Sequence, residues 1–570
     1  MSAAPKPVRA PLPTSALLDR IRDAVIGDDT LMAGPYGSRR VTYADYTASG
    51  RALSFIEDFV REAVLPTYAN THTESSGTGR QTTQLREEAR RIVRDAVGGD
   101  DDTLIIFTGS GATGAIDKIV RILGLRIPSQ LEDTYSLSSA IPATQRPVVF
   151  VGPYEHHSNE LPWRESIADV VEIPADHDGH IDLAVLTQRL EQYADRPLLI
   201  GSFSAASNVT GIVTDTAAVA RVLHRHGALS FWDFAAAAPY VEILMAPAEP
   251  EARLDAVFLS PHKLIGGPGT PGVLAIRREL VTNRVPSVPG GGTVAYVNPL
   301  EHVYLDDPIA REEGGTPDII GAIRAGLVFG LKQSVGVPLI KEVEDALLSR
   351  VVGAWADEPA IEILGNLDAQ RLSIVSFVVR RPGGRYLHHN FVVALLNDLF
   401  GIQARGGCSC AGPYGHRLLG IDLEHSHAFQ HEIAGGCEGI KPGWVRVNFA
   451  YFLDDAVADY LIEAVRFVAT EGDRFLPDYR FDLESGLWRH RQMTQASPLR
   501  LSDISYDGDL RGGVSDHIAR AEVSVLDDYL AEARTLAQAR PRLLPDDAAT
   551  GLEPDAEALR WFDLPAACLS

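Results

Sequence analysis

The sequence is short of lysine, cysteine and long apolar runs. Only six of its 52 Lys and Arg residues are lysines: Lys6, Lys118, Lys263, Lys332, Lys341 and Lys441. In a chain whose basic surface is almost all arginine, a lysine kept for its amine chemistry stands out. Four cysteines in 570 residues, Cys408, Cys410, Cys437 and Cys568, exclude a disulfide framework and point to a reducing, cytoplasmic setting. No apolar run approaches the roughly 18 residues of a membrane span. The Pro-rich start MSAAPKPVRAPLPTSALL lacks a signal-peptide core. Basic residues are outnumbered by 76 acidic ones, for a formal charge of −24. That balance argues against nucleic acid as the main partner and against docking on an anionic membrane.

What is present is ordinary globular composition, 45 % hydrophobic and 22 % charged, with ample chain for a large core. At roughly 150 residues per domain the length suggests three or four units. The patterning reads as an N-terminal arm over 1–40, with one amphipathic helix from Leu17 to Ile26. A large domain follows over 41–335, a smaller one over 336–475 and an extension over 476–570. In the large domain, LIIFTG (104–109), PVVFVG (147–152), PLLIGSF (197–203), ALSFWDF (228–234), AVFLS (256–260) and GVLAI (272–276) are continuous apolar runs. Such runs mark strands buried on both faces. Helical stretches such as Gln84–Val97 and Thr216–His226 alternate with them, so the domain is α/β around a mostly parallel sheet. Residues 125–147 are polar and turn-rich, a surface insertion. In the smaller α+β unit, helices at 339–352, 389–400 and 454–470 accompany strands at 361–365, 372–379 and 444–450. A last helix is expected at 515–540.

Several sites carry chemistry, each with a plainer alternative. Lys263, in SPHKLIGGPG, follows a strand beside glycines, where a desolvated amine can form a Schiff base; otherwise it is a surface lysine near a turn. Asp233 ends a strand, where open α/β sheets place ligand contacts; otherwise it is a helix cap. FTGSGATGAI (107–116) is a strand, a Gly-rich turn and a helix start suited to a phosphate, or a plain connection. His156 and His157 offer a metal pair, a stacking ring or a polar loop end. RGGCSCAGPYGH (405–416) is a Gly-rich loop in which Arg405, His416 and Arg417 would activate a thiolate. Its cysteines could instead join Cys437 in a metal or redox site. Arg446, flanked by apolar residues in VRVNFA, suits a substrate carboxylate or a structural ion pair.

Taken in order, YADYTASG (43–50), NTHT (70–73), FTGSGATGAI, EHHSNELPW (155–163), SNVTG (207–211), the Asp233 strand, SPHK (260–263), EGGTPD (313–318), the Cys410 loop and VRVNFA resemble the class V, pyridoxal phosphate (PLP)-dependent aminotransferase-fold family. The likeness is to its cysteine desulfurase and selenocysteine lyase branch and covers roughly residues 40–470. It implies a fold type I PLP-dependent transferase and a homodimer with a shared active site. Lys263 would hold the cofactor covalently and move protons. Asp233 would meet the pyridine nitrogen, His156 the ring face and Asn208 the phenolic oxygen. Ala112, Thr113, Ser260 and His262 would hold the phosphate, and Thr316 would reach the phosphate of the neighbouring subunit. Arg446, with Arg405, would bind the substrate, and Cys410 would carry a persulfide.

The implied activity is removal of sulfur from L-cysteine to give alanine, with an acceptor protein as a possible partner. Two departures keep other class V chemistries in view: a C–S lyase, a selenocysteine lyase, an amino-acid lyase or an epimerase. Ala236 stands where the family has Gln, and Ala112 where it has Thr. The AAAAPY run and the double-Cys loop also resemble kynureninase-like and molybdenum-cofactor sulfurase-like relatives. A non-catalytic scaffold or metal-binding accessory protein is the remaining reading.

Overall fold

The computed structural model describes residues 11–71, 73–492, 500–504, 506, 519–543, 550 and 552–569. Lys6, His72 of the NTHT segment and residues 515–518 of the expected last helix lie outside the described residues.

Seven strands form the large sheet: β1 (Thr103–Thr108), β2 (Val148–Val151), β3 (Asp169–Glu172), β4 (Leu199–Ser204), β5 (Leu229–Asp233), β6 (Ala256–Leu259) and β7 (Gly272–Arg277). Their order is β1-β7-β6-β5-β4-β2-β3. Neighbours from β6 to β3 run parallel, while β7 is antiparallel to both β1 and β6. Strand pleating sends Ile105 and Phe107 to one apolar cluster and Leu104 and Ile106 to another. Both faces are therefore covered, which is why these segments read as unbroken apolar runs. Sequence patterning missed β3, a short edge strand with no fully buried residue.

Several helices start at a capping side chain. Asp215 accepts the Ala218 N–H and opens Thr216–Arg225. Ser76 caps Gly77–Ala96, which begins seven residues before the expected Gln84 because the cap outweighs the poor helix propensity of Gly77 and Gly79. The smaller sheet contains β8 (Ile361–Ile363), β9 (Ile374–Arg380), β10 (Arg405–Gly407) and β11 (Trp444–Asn448), in the order β8-β9-β11-β10. Helices Val337–Trp355, His389–Phe400 and Asp455–Glu471 accompany it. The 125–147 stretch holds a short helix, Ser129–Tyr135, followed by two 3₁₀ turns. No single helix among the described residues is long and apolar enough to cross a membrane.

The described parts of the arm and the extension pack on the body. The arm is more structured than expected: helix Ala16–Ala24 buries Leu18 and Ile21, and a hairpin joins Leu31–Gly34 to Gly37–Arg40. The extension contributes a hairpin (Tyr479–Asp482 with Leu487–His490) and helix Leu526–Gln538. Tyr479 Oη donates to Asp398 at 2.8 Å. The Trp561 indole stacks on His389, with centroids 5.6 Å apart and planes 9° from parallel, and donates to the Ile440 carbonyl at 2.9 Å. Phe562 is fully buried against His388 and Phe481. Phe562→Ala is therefore expected to destabilise the protein by about 3–5 kcal/mol, as for an aromatic removed from a core. A lowered urea-denaturation midpoint checks this; an unchanged midpoint would mean that the extension is not part of the folded core.

Candidate active site

Every large-domain residue expected at the site, except Thr316, lines one cleft of about 250 Å³ between the carboxyl ends of the strands and the smaller domain. Such strand ends are where open α/β sheets bind ligands. The cleft gathers Ala112, Thr113, His156, Asn208, Asp233, Ser260, His262 and Lys263. From the smaller domain come Arg405, Cys410 and Arg446. Thr316 lies elsewhere, its hydroxyl 3.5 Å from Asn70 Nδ2.

Lys263 closes a 3₁₀ turn directly after β6. Burial, partly offset by Asp233, pushes its amine down to about 8. Free amine, the form that attacks a carbonyl, therefore accumulates above pH 8, earlier than for an ordinary lysine. The rate at which cofactor-free protein takes up added PLP is expected to rise through pH 8. A rise only near pH 10, the range of a solvated lysine, would contradict this environment. Lys118 and Lys332 are buried too, but Lys118 Nζ donates to Ser287 and the Glu312 carbonyl and Lys332 Nζ to the Val241 carbonyl.

Asp233 is the last residue of β5, and its carboxylate accepts the Ala235 N–H at 2.8 Å. Burial raises its pKa, while Ala235 and the Lys263 charge act in the other direction. A buried carboxylate of this kind suits a cationic ring nitrogen. Burial, with Lys263 and Arg446 nearby, pushes the His156 imidazole down to about 3. The ring is thus neutral; its Nδ1 accepts the Ser158 N–H, which places the proton on Nε2.

The helix Gly111–Ile122 points its N-terminus into the cleft. Gly111 has φ +55°, and a Cβ there would fall 2.7 Å from Ser260 Oγ, so only glycine fits the approach. Ala112 N–H donates to Ser260 Oγ at 2.9 Å, and Thr113 Oγ1 lies 2.7 Å from Ser158 Oγ. A helix start ringed by hydroxyls and a histidine suits a phosphate.

The Cys loop leaves β10 with Ser409 and Cys410 both left-handed, at φ 50° and 56°. Such backbone costs about 1–3 kcal/mol per residue and persists where neighbours fix it. Three bonds do so here. Asn208 Nδ2 donates to the Ser409 carbonyl at 2.8 Å and His157 N–H to the Cys410 carbonyl at 2.9 Å. The Gly412 N–H reaches His157 Nε2 at 3.1 Å. His157 is thus the loop's anchor, a role the adjacent-histidine pattern did not reveal. Cys410 is exposed at the cleft and Cys408 partly buried.

Some expectations change. Arg417 and His416 do not face the thiol: Arg417 pairs with Glu172 and the Pro153 carbonyl, and His416 lies against Ser426. Among the described residues no three His, Cys, Asp or Glu side chains converge to hold a metal. The Cys568 thiol is buried and donates to the Leu476 carbonyl. Glu313 of EGGTPD is a structural anchor, accepting from Arg86, Arg90 and the Phe107 N–H.

Three buried polar atoms in the cleft wall, Asn208 Oδ1, Ser409 Oγ and Arg446 Nε, have no protein partner. With a buried lysine of lowered pKa, a buried carboxylate and a helix start ringed by hydroxyls, the donor set fits PLP.

The fold and this site define a class V aminotransferase-type enzyme. The Aminotransferase class-V family profile matches residues 42–426, and the chain belongs to that family, whose members are PLP-dependent. Among its relatives, a probable cysteine desulfurase of Pyrococcus abyssi is 29 % identical over 389 residues, covering 67 % of this chain and 88 % of the relative. A cysteine desulfurase of Dickeya dadantii is 28 % identical over 403 residues, covering 70 % and 88 %. The fold is that of the apo cysteine desulfurase of Thermococcus onnurineus, with a TM-score of 0.59 and 24 % identity over 75 % of this chain and 94 % of that one. The Escherichia coli desulfurase CsdA also has a TM-score of 0.59, with 22 % identity over 79 % and 97 %.

Proposed function

We propose that this protein is a PLP-dependent cysteine desulfurase, converting L-cysteine to L-alanine and leaving the sulfur as a persulfide on Cys410. The observation that carries this reading is the exposed Cys410 thiol, opening into the same cleft as Lys263, Asp233 and Arg446.

Lys263 would attach the cofactor, Asp233 would pair with its ring nitrogen and His156 would cover its ring. Asn208 would serve the phenolic oxygen, and Ala112, Thr113, Ser260 and His262 would hold the phosphate. Bound PLP supplies an electron sink that makes the substrate α-proton removable and the C–S bond labile. Arg446 and Arg405 orient the substrate carboxylate. The free Lys263 amine would accept the α-proton and later return a proton to carbon. Cys410 Sγ attacks the substrate sulfur: the C–S bond breaks, an S–S bond forms, and the carbon skeleton leaves as alanine. Sulfur and protons balance, because cysteine plus the enzyme thiol equals alanine plus the enzyme persulfide. A thiol reductant or an acceptor protein then takes the outer sulfur.

Thr316 outside the cleft supports a homodimer in which it serves the partner's phosphate site. Beside it, Gly315 N–H bonds to Gly291 at the base of a hairpin whose Tyr296, Leu300 and Val303 are exposed. A second reading, another class V lyase without persulfide chemistry, is favoured by Ala236 lining the cleft where the family has Gln. The test is product analysis with L-cysteine and added dithiothreitol. Alanine and sulfide in equal amounts support the desulfurase; pyruvate and ammonia, or no turnover, reject it.

A further inference from the structure

The residue behind the two cleft arginines has no assigned role. Arg405 and Arg446 stand directly opposite each other on β10 and β11, and like charges paired across strands repel. Asp45 resolves this. One carboxylate oxygen accepts from Arg446 Nη2 and the other from Arg405 Nε, both at 2.9 Å. Its position is fixed by backbone: Ala44 N–H bonds to Gln403, Asn448 N–H to Ala44, and Tyr43 Oη donates to the Asp45 carbonyl. Arg446 is held on its far side by the Asn208 carbonyl at 2.9 Å. Its side chain is 4 % exposed, that of Asp45 13 %, and that of Arg405 45 %.

Two guanidinium groups and one carboxylate leave a single net positive charge facing the cleft. Of the other ionisable cleft residues, Lys263 and Asp233 have opposite signs, burial holds the His156 and His262 imidazoles toward their neutral forms, and Cys410 is the exposed thiol of the loop. A ligand with one carboxylate completes this set. A second carboxylate finds both cations already shared with Asp45 and meets its negative charge.

We propose that Asp45 is a specificity-determining residue, which restricts the cleft to amino acids with one carboxylate and excludes those with an acidic side chain. This rests on the reading of the cleft as an amino-acid site, with Arg446 and Arg405 as its carboxylate receptors. Asp45 touches the arginines rather than the substrate, so it acts by positioning and by charge.

The experiment is calorimetric binding of propionate and of succinate to the cofactor-loaded protein. The unaltered protein prefers propionate. In Asp45→Asn the ratio of affinities shifts at least about tenfold toward succinate, and Asp45→Glu retains the original preference. Adding Arg405→Gln to Asp45→Asn removes the gain. An unchanged ratio in Asp45→Asn, or equal weakening of both ligands, overturns the proposal, because a merely structural role lowers both alike. Should Asp45→Asn not fold, Arg405→Gln alone reads the same charge from the other side. The preference for propionate over succinate then grows about tenfold, and an unchanged ratio overturns the proposal. Alanine formation from L-cysteine is scored separately: its absence removes the desulfurase reading, while the propionate-to-succinate ratio still decides the role of Asp45.

Discussion

Replacing Cys410 with serine is expected to lower sulfide release from L-cysteine at least about a hundredfold, while PLP stays bound. Serine oxygen cannot accept sulfur as a persulfide, so the step that breaks the C–S bond loses its nucleophile. The loop itself should survive the change. It is held through the Ser409 and Cys410 carbonyls and the Gly412 N–H, none of which is a Cys410 side-chain atom. Cys408→Ser serves as the contrast. Cys408 is partly buried and is not among the residues lining the cleft, so its loss should leave most of the rate. Full activity in Cys410→Ser would remove this thiol from the reaction and favour the lyase reading.

Lys263→Ala is expected to have an effect at least as large, with a different signature. Without the amine there is no covalent hold on PLP and no base placed for the α-proton. Turnover should fall at least about a thousandfold. Borohydride reduction followed by peptide mapping should then find no cofactor-labelled lysine. Lys332 makes the experiment discriminating. Burial pushes its amine down too, to about 7, but its hydrogen bond to the Val241 carbonyl holds it in the protein interior. Lys332→Ala should keep both the label and the activity. Labelling of another lysine in Lys263→Ala would contradict the assignment.

Much of this was legible before the structure. The strand candidate at 104–109 is β1 shifted by one residue, and the helix expected at 389–400 is observed as His389–Phe400. Strands buried on both faces and helices with one apolar stripe leave a local trace. The motif order was legible for a related reason: most cleft residues sit in short segments at strand ends, turns or a helix start whose own sequence is distinctive. What stayed hidden depends on pairs far apart in the chain. Asp45 and Arg446 are 401 positions apart, and nothing in YADYTASG shows that its carboxylate will meet two arginines. His157 looks like a twin of His156, yet one faces the cleft and the other ties down the Cys loop. Phe562 lies in a Pro- and Asp-rich tail, where composition gives no hint of a buried aromatic cluster with His388 and Phe481.

The most direct test of the central claim is a single turnover of the PLP-loaded protein with sulfur-labelled L-cysteine and no reductant, followed by peptide mass mapping. The account predicts alanine and labelled sulfur in equal amounts, with the label on the Cys410 peptide and released by dithiothreitol. Alanine-free turnover, or label that never resides on Cys410, would contradict it.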